Sequence, residues 1–426
     1  MNPLLKKQEE VKDSGGFEKV TEVEAENFKY KPMHFVKAHC EEGTVPDDQL
    51  QIWDVAFEPG RGRKVATCGG RFLCIFRPET GELLMRYTHP EEDNTFYSLS
   101  WSALAGHYLA TGSNLGEVRL FDPKKKVCFG SWLADDRRGV GWLHAVEFHN
   151  SAPGKLFVAS NDSAVCLWDI GQPEAPDYGE LDRRQPVKLL QVTGSDAGSP
   201  ELYSLAWLGP WLLAGTREGL LGWRLPQEAL ERRRKPLKIT MINFELISDE
   251  ESKEFGESVD SVTSLGQGLV AAKCVNYGKI LVFRADFPAL EVKNRCGDLC
   301  KVEVLLELAW RRTPEHYINI TGDLGLGMMV CGDQLGAVWL YSLPKWLQGQ
   351  QEGGHHVMKQ GREGGLSNLP PKLLPLGRLP WPQLEGEEMR ADILIDKVVL
   401  SPGAEFLVAV TNNNVVAFWR RWQEGS

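Results

Sequence analysis

A unit of about 40 residues recurs along the chain, and no other feature limits the fold so strongly, because repeats of that period build solenoids, propellers or arrays. In each unit a short apolar strand precedes a strand centred on a small residue, a polar turn and a third strand ending on an aromatic. The third strands read LCIFRPETG, VRLFDPKKK, VCLWDIGQP, LLGWRLPQE, ILVFRADFP, VWLYSLPKW and VAFWRRWQE, with Phe76, Phe121, Trp168, Trp223, Phe283, Tyr341 and Trp419 as their aromatics. The strands before them, VATCGG, YLATGS, FVASND, LLAGTR, LVAAKC, MMVCGD and FLVAVT, each end against Gly, Asn, Asp or Lys, residues that turn hairpins. Seven such units in 426 residues replace the two or three domains that length alone suggests.

A four-stranded sheet cannot cover both of its faces, so units of this kind stack around an axis and close into a ring. The fold class expected is all-β, a seven-bladed β-propeller over residues 33–422, preceded by a short disordered arm at 1–32 of mixed charge. The last unit ends near Trp422 with too little chain for a fourth strand, while the apolar segment MHFVKAH (Met33 to His39) has no unit of its own. That segment is expected to supply the missing outer strand of the last blade. A packed N-terminal arm is the alternative. A Gly- and Gln-rich excursion at about 347–370 follows blade six; its His355 and His356 lack carboxylate or Cys support for a metal. The high count of Trp (14) and Gly (43) against Pro (24) agrees with tight turns joining short aromatic-rich strands.

With 48 basic and 58 acidic residues the formal net charge is −10, which disfavours direct DNA binding and makes a basic peptide the better electrostatic partner. The run Arg232, Arg233, Arg234, Lys235 reads either as an import or contact patch or as an ordinary exposed turn. No apolar stretch approaches the roughly 18 residues that span a bilayer, and MNPLLKKQEEVKDSGG lacks the apolar core of a secretory signal, so no membrane association is expected. Cys74, Cys166, Cys274 and Cys331 lie inside apolar strands and read as buried thiols; Cys296 and Cys300 lack a matching His or Cys pair for zinc. No GK[ST] phosphate loop, HExxH, GxSxG or GxGxxG after a strand occurs, so the reading is a binding protein, not an enzyme, with no cofactor and no metal.

Blade three carries a readable WD signature in SNDSAVCLWD, where Ser160, Asp162, Trp168 and Asp169 have the hydroxyl, carboxylate and indole N–H for an internal hydrogen-bond network. The stretches LQIWDVAFEPGRGRKVATCGG, NTFYSLSW, VCLWDIG, MMVCGDQLGAVWLYSL, LPWPQ and NNNVVAFWRRW together resemble the WD40 propeller of the leucine-rich repeat and WD repeat-containing family, also called origin recognition complex-associated proteins. Over blades one to three the chain is more distantly similar to the embryonic ectoderm development family, the WD40 subunits of Polycomb complexes. The resemblance implies a nuclear chromatin scaffold that reads trimethylated lysine on methylated histone tails and associates with origin recognition complex subunits at heterochromatin, with a role in DNA replication. No L-x-x-L-x-L series precedes the propeller here, so a fragment, an isoform or a diverged propeller-only member is expected, and functions resting on leucine-rich repeats are not carried over.

For the methyl-lysine cage, the resemblance implies Trp53 of IWDVAF, Tyr97 of NTFYSLSW and Tyr317 of EHYINI, with His316 and Asp396 at the rim. A trimethylammonium group has no N–H to donate, so aromatic faces hold it, at about 0.5 to 2 kcal/mol per ring. Inter-blade packing is the competing role for each ring. Two other classes stay open: a WD40 subunit of a Polycomb-like methyltransferase complex, and a generic adaptor such as a ubiquitin-ligase substrate receptor. Against the latter, Trp168 and Asp169 are followed by Ile170 and Gly171, not by x-Arg.

Overall fold

The computed structural model describes residues 17–18, 29–103, 108–134, 141–149, 152, 154–160, 164–171, 186–193, 201–225, 230, 240–246, 258–284, 299–347, 370–381 and 393–422. They form seven sheets, each built on four antiparallel strands, arranged as the blades of a propeller. The innermost strands are Asp54–Phe57, Phe96–Trp101, Leu143–Phe148, Leu202–Leu208, Val259–Gly266, Ile320–Asp323 and Ile395–Leu400, in blades one to seven. All seven aromatics that end the third strands are buried, Phe76, Phe121, Phe283 and Tyr341 completely. Each fills the space between two blades, as Phe76 does against Phe418 at a centroid distance of 5.8 Å. Among the described residues, no helix is long and apolar enough to cross a membrane.

The ring closes through the N-terminal segment. Tyr30–Val36 pairs antiparallel with Val416–Arg421, Tyr30 opposite Arg421 and Val36 opposite Val416. The strand starts before Met33 because Tyr30 is buried and its hydroxyl donates to the Ala404 carbonyl at 2.7 Å. It stops before His39 because Ala38 and His39 bond side chains instead of a ladder: Arg86 Nε donates to the Ala38 carbonyl, and Asn414 Nδ2 to that of His39. Residues 29–32, expected to belong to a disordered arm, are therefore part of the propeller. Phe17–Glu18 also pairs, parallel to Lys372–Leu373, which lies parallel to the outer strand Glu303–Ala309 of blade five. Blade four is widened similarly by Leu299–Lys301. His355, His356, the Arg232–Lys235 run and Cys296 lie outside the described residues.

Among the described residues, the network expected around the blade-three signature is not formed at its Trp. Trp168 Nε1 is buried without a hydrogen-bond acceptor among the described residues, its ring lying 5.7 Å from Trp132 with Lys188 Nζ 5.3 Å from its centroid. Asp169 instead accepts from the Gly171 N–H and pairs with Lys155 at 2.8 Å. Asp162 and the Ser160 side chain are outside the described residues. A Trp–Asp network occurs in blade six, where Asp333 Oδ2 accepts Trp339 Nε1 at 2.9 Å and Oδ1 accepts the Leu335 and Ala337 N–H groups.

One irregularity recurs around the ring. The innermost strands of blades two, three, four, five and seven each shift register against their second strand at one residue near the start: Tyr97, His144, Tyr203, Asp260 and Asp396. A bulge interrupts the ladder and re-aims the extra side chain. Here it recurs at the end of the channel where the innermost strands begin.

Candidate methyl-lysine site

The central channel encloses about 740 Å³ and is lined by residues of all seven innermost strands, among them Trp53, Tyr97, His144 and Tyr203 at its mouth. Trp53 stands just ahead of the first innermost strand, held by its N–H to the Cys68 carbonyl at 2.9 Å and by Ile52 N–H to Thr411 of blade seven. Its ring centroid is 4.9 Å from Tyr97 and 5.9 Å from Tyr317, so the three aromatics expected to converge do meet, all half-buried. The bulge at Tyr97 turns its ring toward the mouth rather than between blades.

Tyr317 reaches the cluster by a different route. Its φ is +66°, in the left-handed region that bulky side chains avoid at a cost of about 1–3 kcal/mol. Its surroundings over-determine the strained turn. Asn319 Nδ2 donates back to the Tyr317 carbonyl at 3.0 Å, while the Asn319 N–H donates to the Asp396 carbonyl at 2.7 Å.

Three further residues belong to the site. Trp142 stacks on Tyr97 at 5.6 Å and 18°, and its exposure of 46% leaves it as a lip. His144 stacks on Tyr317 at 5.2 Å and 27° and lies 5.6 Å from Tyr97. Tyr203 meets Tyr317 edge-on at 5.4 Å. His144 and Tyr203 share the repeat position of Tyr97, the second residue in LHAV, LYSL and FYSL. Aligning the innermost strands would have singled them out. Trp142 carries no such signal.

The two expected rim residues part company. His316 is half-buried, 6.2 Å from Tyr317 and 5.5 Å from Tyr203, on the flank of the cluster. Asp396 is not at the rim but fully buried. As the bulged residue of its strand it turns inward and accepts Gln51 Nε2 at 2.7 Å, while Lys397 takes the channel-facing place and pairs with Asp54 at 2.6 Å. Burial holds the Asp396 carboxyl well above the usual carboxylate range, and the group faces Gln51 rather than the mouth. The carboxylate that does act there is the exposed Glu201, which accepts the Tyr203 hydroxyl at 2.9 Å and whose field reaches His144 and Tyr317.

Burial pushes the Tyr317 hydroxyl up to about 12, with Glu201 adding to the shift, and it raises Tyr97 as well, so both rings stay neutral and electron-rich. His144 is pushed down to about 4 by burial and is an uncharged imidazole at neutral pH. Lower in the channel Glu147 is raised to about 7, chiefly by burial. Among the described residues no group of three or more His, Cys, Asp or Glu could hold a metal ion. Chemically the mouth is an apolar, aromatic, weakly negative recess suited to a large soft cation.

The sequence and the fold were compared with known proteins. The family described as Leucine-rich repeat and WD repeat-containing protein 1, WD domain, matches residues 23–422. The Leucine-rich repeat and WD repeat-containing protein 1 of Mus musculus is 27% identical over 409 residues, covering 92% of this chain and 58% of that protein. The chain thus spans little more than half the length of this relative. Polycomb protein esc of Musca domestica is 27% identical over 150 residues, 33% of each chain. In fold, the chain is similar to one in the structure of a humanized mutant of the Chaetomium thermophilum Polycomb Repressive Complex 2 bound to the inhibitor GSK343, with a TM-score of 0.67 and 14% identity, covering 94% of this chain and 100% of that one. By the extent of the family match, the chain belongs to the leucine-rich repeat and WD repeat-containing protein 1 family, through its WD domain.

Proposed function

We propose that the chain is a non-enzymatic chromatin scaffold of the nucleus whose channel mouth reads trimethylated lysine on histone tails, and that it associates with origin recognition complex subunits. The observation that carries the reading is the meeting of Trp53, Tyr97 and Tyr317, from blades one, two and six, within 5.9 Å of the Trp53 ring. A strained φ of +66° at one of these aromatics supports it, because such strain collects where a side chain must face a ligand. The net charge of −10 and the exposed Glu201 favour the basic tail that carries the mark. The partner in DNA replication is inferred from the family alone.

A methylated histone peptide array with the purified chain tests the reading, followed by titration of the best peptide. Tyr97→Ala should weaken binding by about 1–2 kcal/mol and leave unmodified partners unaffected. Equal affinity for methylated and unmethylated peptides would remove the reader function.

A further inference from the structure

The imidazole of His144 lies where a ligand cation would have to go. It covers one face of Tyr317, stacked at 27° with centroids 5.2 Å apart, and its centroid is 5.6 Å from Tyr97 and 6.2 Å from Trp142. A quaternary ammonium bound to that face of Tyr317 needs van der Waals room for its methyl groups, about 3.5–4.0 Å between carbons on every side. Two rings stacked at 5.2 Å leave none.

The same histidine is built to move. Among the described residues its side chain makes no hydrogen bond and is held by ring contacts alone. It sits at the bulge between Leu143 and Ala145, where the ladder is already interrupted. It also lines the central channel, so a channel volume of about 740 Å³ adjoins it as a place to swing into. His316, by contrast, stands on the far flank beside Tyr203 at 5.5 Å.

We propose that His144 is the gate of the methyl-lysine site: in the free protein its ring fills the hollow between Tyr97 and Tyr317, and binding requires it to rotate into the channel. This rests on the reader function proposed above. His144 therefore sets affinity through the fraction of molecules with the hollow open, since apparent affinity scales with the competent fraction. It acts as a surrogate ligand of neutral, flat shape, which a trimethylammonium group displaces.

The test uses the full chain with two probes, tetramethylammonium chloride and a trimethyl-lysine histone peptide. His144→Ala should bind both more tightly than the parent, about tenfold if the closed arrangement holds nine-tenths of the population. His144→Phe restores a flat ring on Tyr317 and should bind no more tightly than the parent. A His144→Ala variant that binds equally or more weakly while the parent binds would overturn the gate and leave the reader standing. Silence of parent and variant toward both probes would instead sink the reader function. A measurement on the unmutated chain guards against a folding defect: the His144 ring resonances should move on adding tetramethylammonium, and binding without that movement overturns the gate.

Discussion

The buried pair behind the mouth allows a quantitative test of how the site is supported. Lys273 and Asp260 are both fully buried, with Nζ 2.7 and 2.6 Å from the two carboxylate oxygens, and Nζ also lies 4.8 Å from the centroid of Trp310. Lys273→Met keeps most of the stem and deletes the cation. Breaking a buried pair in this way costs about 3–5 kcal/mol, because the remaining carboxylate has lost its partner without regaining water. The carboxylate then takes up a proton. Burial already raises the Asp260 pKa and Lys273 opposes that rise, so its removal drives the value further up. An acid with a raised folded-state pKa holds a proton that the unfolded chain has lost, so the variant should regain stability as pH falls from 7 to 5. Adding Asp260→Asn removes the second charge and should recover most of the loss at pH 7. Urea unfolding followed by tryptophan fluorescence, at pH 7 and pH 5, reads all three chains. A Lys273→Met midpoint indistinguishable from the parent at both pH values, or a double variant as unstable as the single one, would refute the reasoning.

His39 is fully buried, and burial pushes it down to about 3, so between pH 6.5 and 3 the unfolded chain binds the proton that the folded chain refuses. Stability should fall as pH is lowered across that window, and His39→Gln should flatten the decline measured by thermal unfolding; an unchanged slope would contradict the assignment. The raised Glu147 works in the opposite sense above about pH 4.5, so the decline should steepen below that point. A chain beginning at Lys37 lacks the strand Tyr30–Val36 and leaves the edge of Val416–Arg421 unpaired, so it should aggregate in light scattering and be rescued by a peptide of residues 29–37. A soluble, monodisperse truncated chain would sink that idea. Glu201→Gln should weaken a methyl-lysine peptide modestly at low salt and hardly at all at 0.5 M, since its attraction is exposed and screened. Loss independent of salt would indicate a packing role.

Blade count and blade order were legible in the sequence because the third-strand aromatics, from Phe76 to Trp419, repeat at the spacing of a buried inter-blade position. The closing strand was legible because an apolar segment stood unpaired at one end and a strand was missing at the other; only its limits, Tyr30 and Val36, waited on the Tyr30 hydroxyl and the Asn414 side chain. Trp53, Tyr97 and Tyr317 could be named through a family resemblance and their convergence expected from a closed ring, but nothing local brings residues of three blades together. That is decided by ring closure and by two backbone departures that composition does not announce: the bulge, which turns Tyr97, His144 and Tyr203 toward the mouth, and the left-handed turn at Tyr317. The same bulge turns Asp396 inward, because in blade seven the re-aimed side chain meets Gln51 and no solvent. The sequence by itself determined which residues form strands and which aromatics are buried, since both follow from local pattern and apolar periodicity. Which face of the ring each side chain serves was decided only by the tertiary structure, where one extra residue in a ladder reverses the direction of a side chain.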